Sequence, residues 1–266
     1  MSITLSSITI YPIKSCGGIE LTTAEIDERG LRYDRRWMVV NKDGVFMTQR
    51  DFPLMTLIAV ELLSDALRIH APNMPPLLVP LMLSNAEHTA VHIRSDTVNA
   101  VTVGIEAEVW FSEFLGTPSK LVAMTDASLR RVDTRYARRG ESVSFADGFP
   151  LLLISQASLD DLNVRLETPV PMRRFRPNLV VDGCAPFAED KWKVIAIGDV
   201  RFRVVKPCAR CVITTVDTQT GEAGVEPLRT LATFRTIGNK VMFGQYLLHQ
   251  GNGTVRVGDE VTILQQ

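Results

Sequence analysis

The sequence predicts a mainly β (α+β) fold: two β-barrel-like domains with a few short helices. Three observations lead there. Short runs that alternate apolar and polar residues recur through the first hundred residues, as half-buried strands require. Seventeen Gly and fourteen Pro are spread along the chain and punctuate those runs. Near residue 105 the pattern changes to helical spacing for one short stretch, and then short strands resume. A break after that stretch divides the 266 residues into two domains, 1–118 and 119–266.

Taken in order, Ile3 to Ile13 alternates and breaks at Lys14-Ser15-Cys16-Gly17-Gly18. Leu21 to Ile26 alternates again. Trp37 to Val40 and Val45 to Met47 flank Asn41-Lys42-Asp43-Gly44, the pattern of a hairpin around a Gly turn. Leu57 to Leu63, Ala66 to His70, Leu77 to Leu81, Thr89 to Ile93 and Asn99 to Gly104 continue the strands. Ile105 to Leu115 carries Trp110, Phe111 and Leu115 at helical spacing and ends at Gly116-Thr117-Pro118. Lys120 to Met124 reads as a strand. Asp126 to Arg139 holds five Arg with little apolar periodicity and reads as a mobile basic loop. Leu151 to Ile154 is a buried strand, and Ser158 is the expected N-cap of a helix over Leu159 to Leu166. Strands follow at Asn178 to Val181, Val194 to Ile197, Arg201 to Val205 and Val212 to Val216. A helical turn is expected at Pro227 to Ala232. Val241 to His249 and Thr254 to Leu264 complete the strands.

Composition narrows the function. Twenty-nine Lys+Arg against thirty Asp+Glu give a net charge of −1, which argues against a general nucleic-acid binder. A local basic pocket for a small anion stays open. No stretch reads as a membrane span, and the N-terminus has neither the basic nor the apolar region of a signal peptide, so the expected location is cytoplasmic. Four cysteines are too few and too scattered for a disulfide framework and are expected as thiols.

Four nodes carry possible chemistry. Tyr11-Pro12-Ile13-Lys14-Ser15-Cys16-Gly17-Gly18 places an ammonium, a hydroxyl and glycine backbone at a strand end, either an anion cradle or an ordinary turn. Arg32, Arg35 and Arg36 precede the Trp37 strand, and Arg173, Arg174 and Arg176 precede Pro177-Asn178. Both clusters can fork onto a phosphate or lie solvated. Cys208-Ala209-Arg210-Cys211 admits four readings: a zinc site lacking its other ligands, a redox pair, two plain thiols, or one cysteine ligating a cofactor metal. An apolar β-branched run, not a helix, is expected after it, which weighs against the redox pair.

In this order YPIKSCGG, DRRWMVV, FRPNLVV, KPCARCVITTVDTQTG and GDEV resemble the MOSC-domain proteins that carry an N-terminal β-barrel domain, and among them the amidoxime-reducing-component-like molybdenum enzymes. The resemblance covers essentially the whole chain and implies a bound molybdenum cofactor, a pterin dithiolene with a terminal phosphate. It assigns metal ligation and the catalytic centre to Cys211, with Cys208 a neighbour. It assigns cofactor binding to Lys14, Ser15, Arg35, Arg176 and Asn178, and less firmly to the loop Asp147, Gly148, Phe149, where relatives can have other side chains. The implied reaction is two-electron reduction of N–OH or N-oxide groups. Asp217 is either a proton donor or a turn residue. The assigned cofactor positions come from both halves of the chain, so the cofactor is expected in a cleft between the two domains. Electrons are expected from a separate protein of the ferredoxin, flavodoxin or cytochrome b5 type, since the motifs use the length of the chain and the cysteines lack plant-type cluster spacing. The basic stretch from Arg130 to Arg139 is a candidate dock for an acidic partner. A cofactor carrier or sulfur-transfer protein is the alternative function. Pyridoxal phosphate is a lesser candidate ligand, although no pyridoxal-phosphate domain is present.

Overall fold

The computed structural model describes residues 2–84 and 86–266. The mainly β expectation holds: four sheets and three α-helices are found among the described residues. The largest sheet has nine strands. Its order runs Val261–Gln265, Val194–Ile197, Val200–Ala209, Lys240–Gln250, Leu151–Ser155, Leu179–Asp182, Thr4–Ile10, Ile19–Leu21, with Thr236–Ile237 paired onto Lys240–Gln250. A first strand thus lies beside a strand some 170 positions later, with Ile8 opposite Leu179. Leu151–Ser155 and Leu179–Asp182 are parallel, which demands a crossover. Helix Gln156–Val164 supplies it.

Three smaller sheets surround this one. Trp37–Asn41, Ser119–Ala123, Asp96–Thr102 and His88–Ile93 form the second. Ala59–Leu62, Ala66–His70 and Leu77–Pro80 form another, and Gly253–Arg256 joins Thr23–Asp27 and Gly30–Leu31 in the last. The sheets cross the position between residues 118 and 119 in both directions. Ser119–Ala123 pairs with Trp37–Asn41, and Thr4–Ile10 pairs with Leu179–Asp182. One core mixes both ends of the chain: Leu5, Ile8 and Ile10 pack with Phe202, Leu247 and Val255. A second core belongs to the first half, where Trp110 and Phe111 of helix Ile105–Leu115 meet Met55, Ile58 and Ile69. Gly116 ends that helix in the left-handed conformation, φ 65°.

Several local expectations are corrected. The crossover helix starts at Gln156, not Leu159, because the hydroxyl of Ser155 accepts the Ser158 N–H at 3.1 Å. Val212–Thr215 is a single 3-10 turn rather than a strand. Its two threonines explain this: Thr214 Oγ1 donates to Cys211 O at 3.0 Å and Thr215 Oγ1 to Val212 O at 2.8 Å. These bonds satisfy carbonyls that a short turn leaves open. The preceding strand is longer than expected, running Val200–Ala209 with two register shifts against Lys240–Gln250. Pro53–Leu57 is a 3-10 helix, so the following strand begins at Ala59.

The basic stretch after Asp126 is not a free loop. Val132 is buried and packs with Val143, Ala146, Phe149 and Leu248, joined by Tyr136 and Ala137. Arg130 is only 5% exposed. Its guanidinium donates to Asp96 at 2.8 Å and to the carbonyls of Ser144 and Ala146. It therefore fixes the segment that leads to Asp147 and is removed from the candidate docking arginines.

Candidate functional site

The strand Thr4–Ile10 leads to Lys14 and Ser15 through a tight turn in which Ser15 has φ 68°. Gln49 Nε2 donates to Ser15 O at 2.6 Å and braces the turn. Lys14 is 5% exposed. Its Nζ donates to Phe145 O at 2.9 Å and to Asp147 Oδ1 at 2.7 Å. Burial lowers the ammonium to about 8, against the pull of Asp147. Desolvation opposes ionisation of Asp147, but Lys14 and Arg94, the latter 3.5 Å away, hold its carboxyl well below the usual range.

Arg35 and Arg176 both take left-handed backbone, at φ 51° and φ 54°, conformations a non-glycine residue adopts only where its surroundings hold it. Arg35 Nη1 donates to Asp34 Oδ2 at 2.6 Å and to Asn178 Oδ1 at 3.1 Å, and its Nη2 reaches Arg176 O at 3.3 Å. Both guanidiniums lie against the ring of Tyr11, with Arg35 4.6 Å and Arg176 4.1 Å from its centroid. Cation–π attraction to this one ring offsets part of the repulsion between the like charges. The Tyr11 hydroxyl donates to Pro177 O at 3.2 Å, and burial pushes it up to about 12.

Arg176 Nη1 donates to Cys16 O at 2.7 Å, while its Nη2 is buried with no partner among the described residues. Burial, and the charge of Arg35, bring the guanidinium down to about 10 although Tyr11 opposes this. Asn178 is 1% exposed. Its amide ties strands together, accepting also from Leu152 N at 3.2 Å and donating to Thr9 O at 3.1 Å.

From the other side come the two cysteines. Cys208 ends the strand Val200–Ala209 and is buried; Cys211 is half-buried at the start of the Val212–Thr215 turn. Arg210 bridges them to the Arg176 loop, donating to Cys208 Sγ at 2.9 Å and to Phe175 O at 2.5 Å. Arg50 reaches Cys211 from the first half of the chain. Its desolvation is outweighed by the hydrogen bond and charge of Cys211, so its guanidinium is held above its ordinary range.

One cavity gathers these groups. Lys14, Ser15, Arg35, Arg176 and Asn178 line it, and so do Asp147, Phe149 and Cys211. Gly148 does not line it; its φ of 142° turns the chain between Asp147 and Phe149, and a Cβ there would meet nothing within 4 Å. Cys208, Arg210, Thr214 and Tyr246 also line the cavity. Tyr246, Arg50, Asp34 and the contact of Tyr11 with two arginines are what sequence reasoning misses. Tyr11 stands inside the YPIKS motif, yet nothing local shows that its ring meets two arginines from distant segments.

Other candidates fall outside. Asp217 does not line the cavity and serves its own turn, accepting from Gln219 N, Thr220 N and Arg174 Nη2. Burial pushes the Cys16 thiol up to about 12 and also raises Cys184, which makes both poor nucleophiles. Among the described residues no group of three or more His, Cys, Asp or Glu comes together to hold a metal ion. Among the described residues Cys208 and Cys211 therefore have no zinc-ligand partners.

Two family models match the chain. The family described as the MOSC N-terminal beta barrel domain matches residues 2–118, and the MOSC domain matches residues 140–262. The chain is 38% identical over 279 residues to mitochondrial amidoxime reducing component 2 of Rattus norvegicus, covering 97% of this chain and 82% of the relative. It is 36% identical to mitochondrial amidoxime-reducing component 1 of Homo sapiens, covering 99% and 83%. It is also 34% identical to the molybdenum cofactor sulfurase of Danio rerio, over 94% of this chain but 32% of that protein. None of these matches points to pyridoxal phosphate.

Proposed function

From the premise that this chain belongs to the MOSC family with an N-terminal MOSC β-barrel, the family of the amidoxime-reducing components, we propose that it is a molybdenum-cofactor-dependent oxidoreductase. It reduces N–OH or N-oxide groups with electrons from a separate carrier protein. The supporting observation is the buried, partnerless Nη2 of Arg176 in the same cavity as the half-buried Cys211. A buried cationic donor without a partner is costly, and a phosphorylated ligand relieves it. The cavity residues therefore fit the group: a soft thiolate for the metal and buried cations for the phosphate.

In this reading Cys211 is the protein's metal ligand, and Arg176 and Lys14 bind the anionic end. Arg35 does not meet the ligand as a free charge. It is neutralised by Asp34 and holds the Arg176 carbonyl. Asn178 fixes the three strands behind it. Ser15 offers its hydroxyl, and the Asp147–Phe149 loop closes one wall, with Asp147 keeping Lys14 charged. Arg210 anchors Cys208 against Phe175 and so sets the position of the next thiol, Cys211. When bound, the cofactor supplies two-electron redox chemistry. The relatives are named as mitochondrial; for this chain we propose a cytoplasmic location, and no helix among the described residues is long and apolar enough to cross a membrane.

Metal analysis of the purified protein, with fluorescence of its oxidised pterin and reduction of benzamidoxime by reduced methyl viologen, tests the reading. Expected are molybdenum, pterin and turnover, all with wild-type Cys211. In a Cys211→Ser protein of unchanged far-UV circular dichroism, turnover falls below detection. Full turnover by a folded, metal-loaded Cys211→Ser variant overturns the ligand role. The sulfurase relative favours a second reading, a carrier or sulfur-transfer protein. Bound cofactor with no turnover of benzamidoxime, or a persulfide on Cys208 or Cys211 by mass spectrometry, would mark it.

A further inference from the structure

Three aromatic rings run in packed contact from the cavity to the basic surface. Tyr246 and Phe149 line the cavity, and their rings stack with centroids 4.8 Å apart and planes at 24°. Phe149 meets the edge of Tyr136 at 5.5 Å. Tyr136 is half-buried and belongs to the basic stretch, between the exposed Arg135 and Arg138. Arg203 Nη1 donates to its carbonyl at 3.0 Å, and the Lys206 ammonium lies 5.2 Å from its ring centroid. The same residues form one apolar cluster with Val132, Val143 and Leu248, so the route is fixed by packing.

The charge above the route is one-sided. Between residues 130 and 141 the only carboxylates are Asp133 and Glu141. Asp133 is paired with Arg135, and Glu141 with Arg203. Arg138 and Arg139 are exposed, and neither they nor Lys206 has a carboxylate partner among the described residues. Unpaired cations gathered at one spot raise the encounter rate of an oppositely charged partner. Electron tunnelling falls steeply with distance and proceeds best through unbroken packing. Unpaired positive charge and an unbroken aromatic path coincide at Tyr136.

We propose that the face formed by Arg138, Arg139 and Lys206 around Tyr136 docks a small acidic one-electron carrier protein, and that Tyr136, Phe149 and Tyr246 are the packed route from it to the cavity. The inference rests on the reductase reading. Each docked carrier is oxidised by one electron, and two encounters serve one turnover. The substrate N–OH takes two electrons and two protons, the N–O bond breaks, and N–H and water result. The rings act as a tunnelling medium and are not themselves oxidised.

The probes are an acidic plant-type ferredoxin and an acidic flavodoxin, titrated onto the full chain, both cofactor-free and loaded. Expected for the cofactor-free protein is binding at low salt that weakens with ionic strength. The triple variant Arg138→Glu, Arg139→Glu, Lys206→Glu should lose about tenfold or more in affinity. In the loaded protein the same variant should slow carrier-driven reduction of benzamidoxime while viologen-driven reduction stays within about twofold of wild type. Tyr136→Leu should leave carrier affinity within about twofold, because it removes no charge, and slow only carrier-driven turnover. Absence of binding to both carriers at low salt overturns the proposal, as does unchanged affinity in the triple variant. Wild-type rates in Tyr136→Leu overturn the route. Binding to anionic phospholipid vesicles in place of the carriers would assign the face to a membrane. If viologen drives no turnover in wild type, the reductase reading fails, while binding to the cofactor-free chain still decides the dock.

Discussion

Tyr11 holds two guanidiniums that repel each other, because both cations are attracted to its one ring. Tyr11→Leu keeps much of the volume and loses both cation–π contacts, together with the hydrogen bond to Pro177. Its expected cost is about 1–3 kcal/mol in denaturant unfolding, with weaker binding of sulfate to the cofactor-free cavity by calorimetry. Lys14 gives that binding a pH dependence. Its ammonium sits at about 8 in the folded chain against an ordinary 10.5. Below pH 8 it is charged and sulfate, whose own charge is constant, binds fully; above pH 8 the affinity should fall. Between about pH 8 and 10.5 the unfolded chain holds a proton that the folded chain has released, so Lys14 adds to stability as pH rises through that window. In Lys14→Met both dependences should flatten; a sulfate affinity still declining from pH 8 in that variant would refute the assignment. The cations and the thiols were legible in the sequence because their chemistry belongs to the residue type. Tyr11, Asp34 and Arg50 were not. Their roles depend on partners brought up by topology, as when Arg176 crosses 165 positions to reach Tyr11.

The helix Gln156–Val164 shows how an element is held from outside itself. Glu189, 1% exposed, accepts from Ser155 N at 3.1 Å, Ser155 Oγ at 3.0 Å and Ser158 Oγ at 2.8 Å. A carboxylate at a helix N-terminus also meets the favourable end of the dipole. Glu189→Ala leaves Ser155 N and one of the two hydroxyls, which lie 2.7 Å apart, unmatched and should cost about 2–4 kcal/mol in denaturant unfolding, a larger loss than Ser155→Ala alone, at about 0.5–2 kcal/mol. Equal losses would show that the cap, not the carboxylate, holds the turn. The sequence places this helix but not its start. Apolar spacing begins at Leu159, and of two nearby serines the one expected to cap is instead engaged by Glu189, 31 positions away. The Val212–Thr215 turn departs from its expected strand for a related reason. Its β-branched residues favour strands, yet two hydroxyl-to-carbonyl bonds wind them up.

At the scale of the molecule, the strands at the start of the chain complete sheets built from its end. We propose residues 1–118 and 119–266 as sequence modules, with pairing across them. Thermal unfolding followed by circular dichroism and by calorimetry should therefore show one transition, and a fragment of residues 140–266 should lack a native near-ultraviolet spectrum. Two separated transitions, or a folded fragment, would contradict the interleaving. The alternation that marked each strand said nothing of this, since it specifies a buried face and not a neighbour. The same interleaving sets an order of events on the ribosome. Arg35 is made 211 residues before Tyr246, and at about 5–20 residues per second the two are separated by some ten to forty seconds of synthesis. Until Leu179–Asp182 is made, Thr4–Ile10 lacks that partner, and its open edge is a template for wrong partners. The emerging chain has a reason to need a holdase, and the cavity lacks part of its lining until Tyr246 is made.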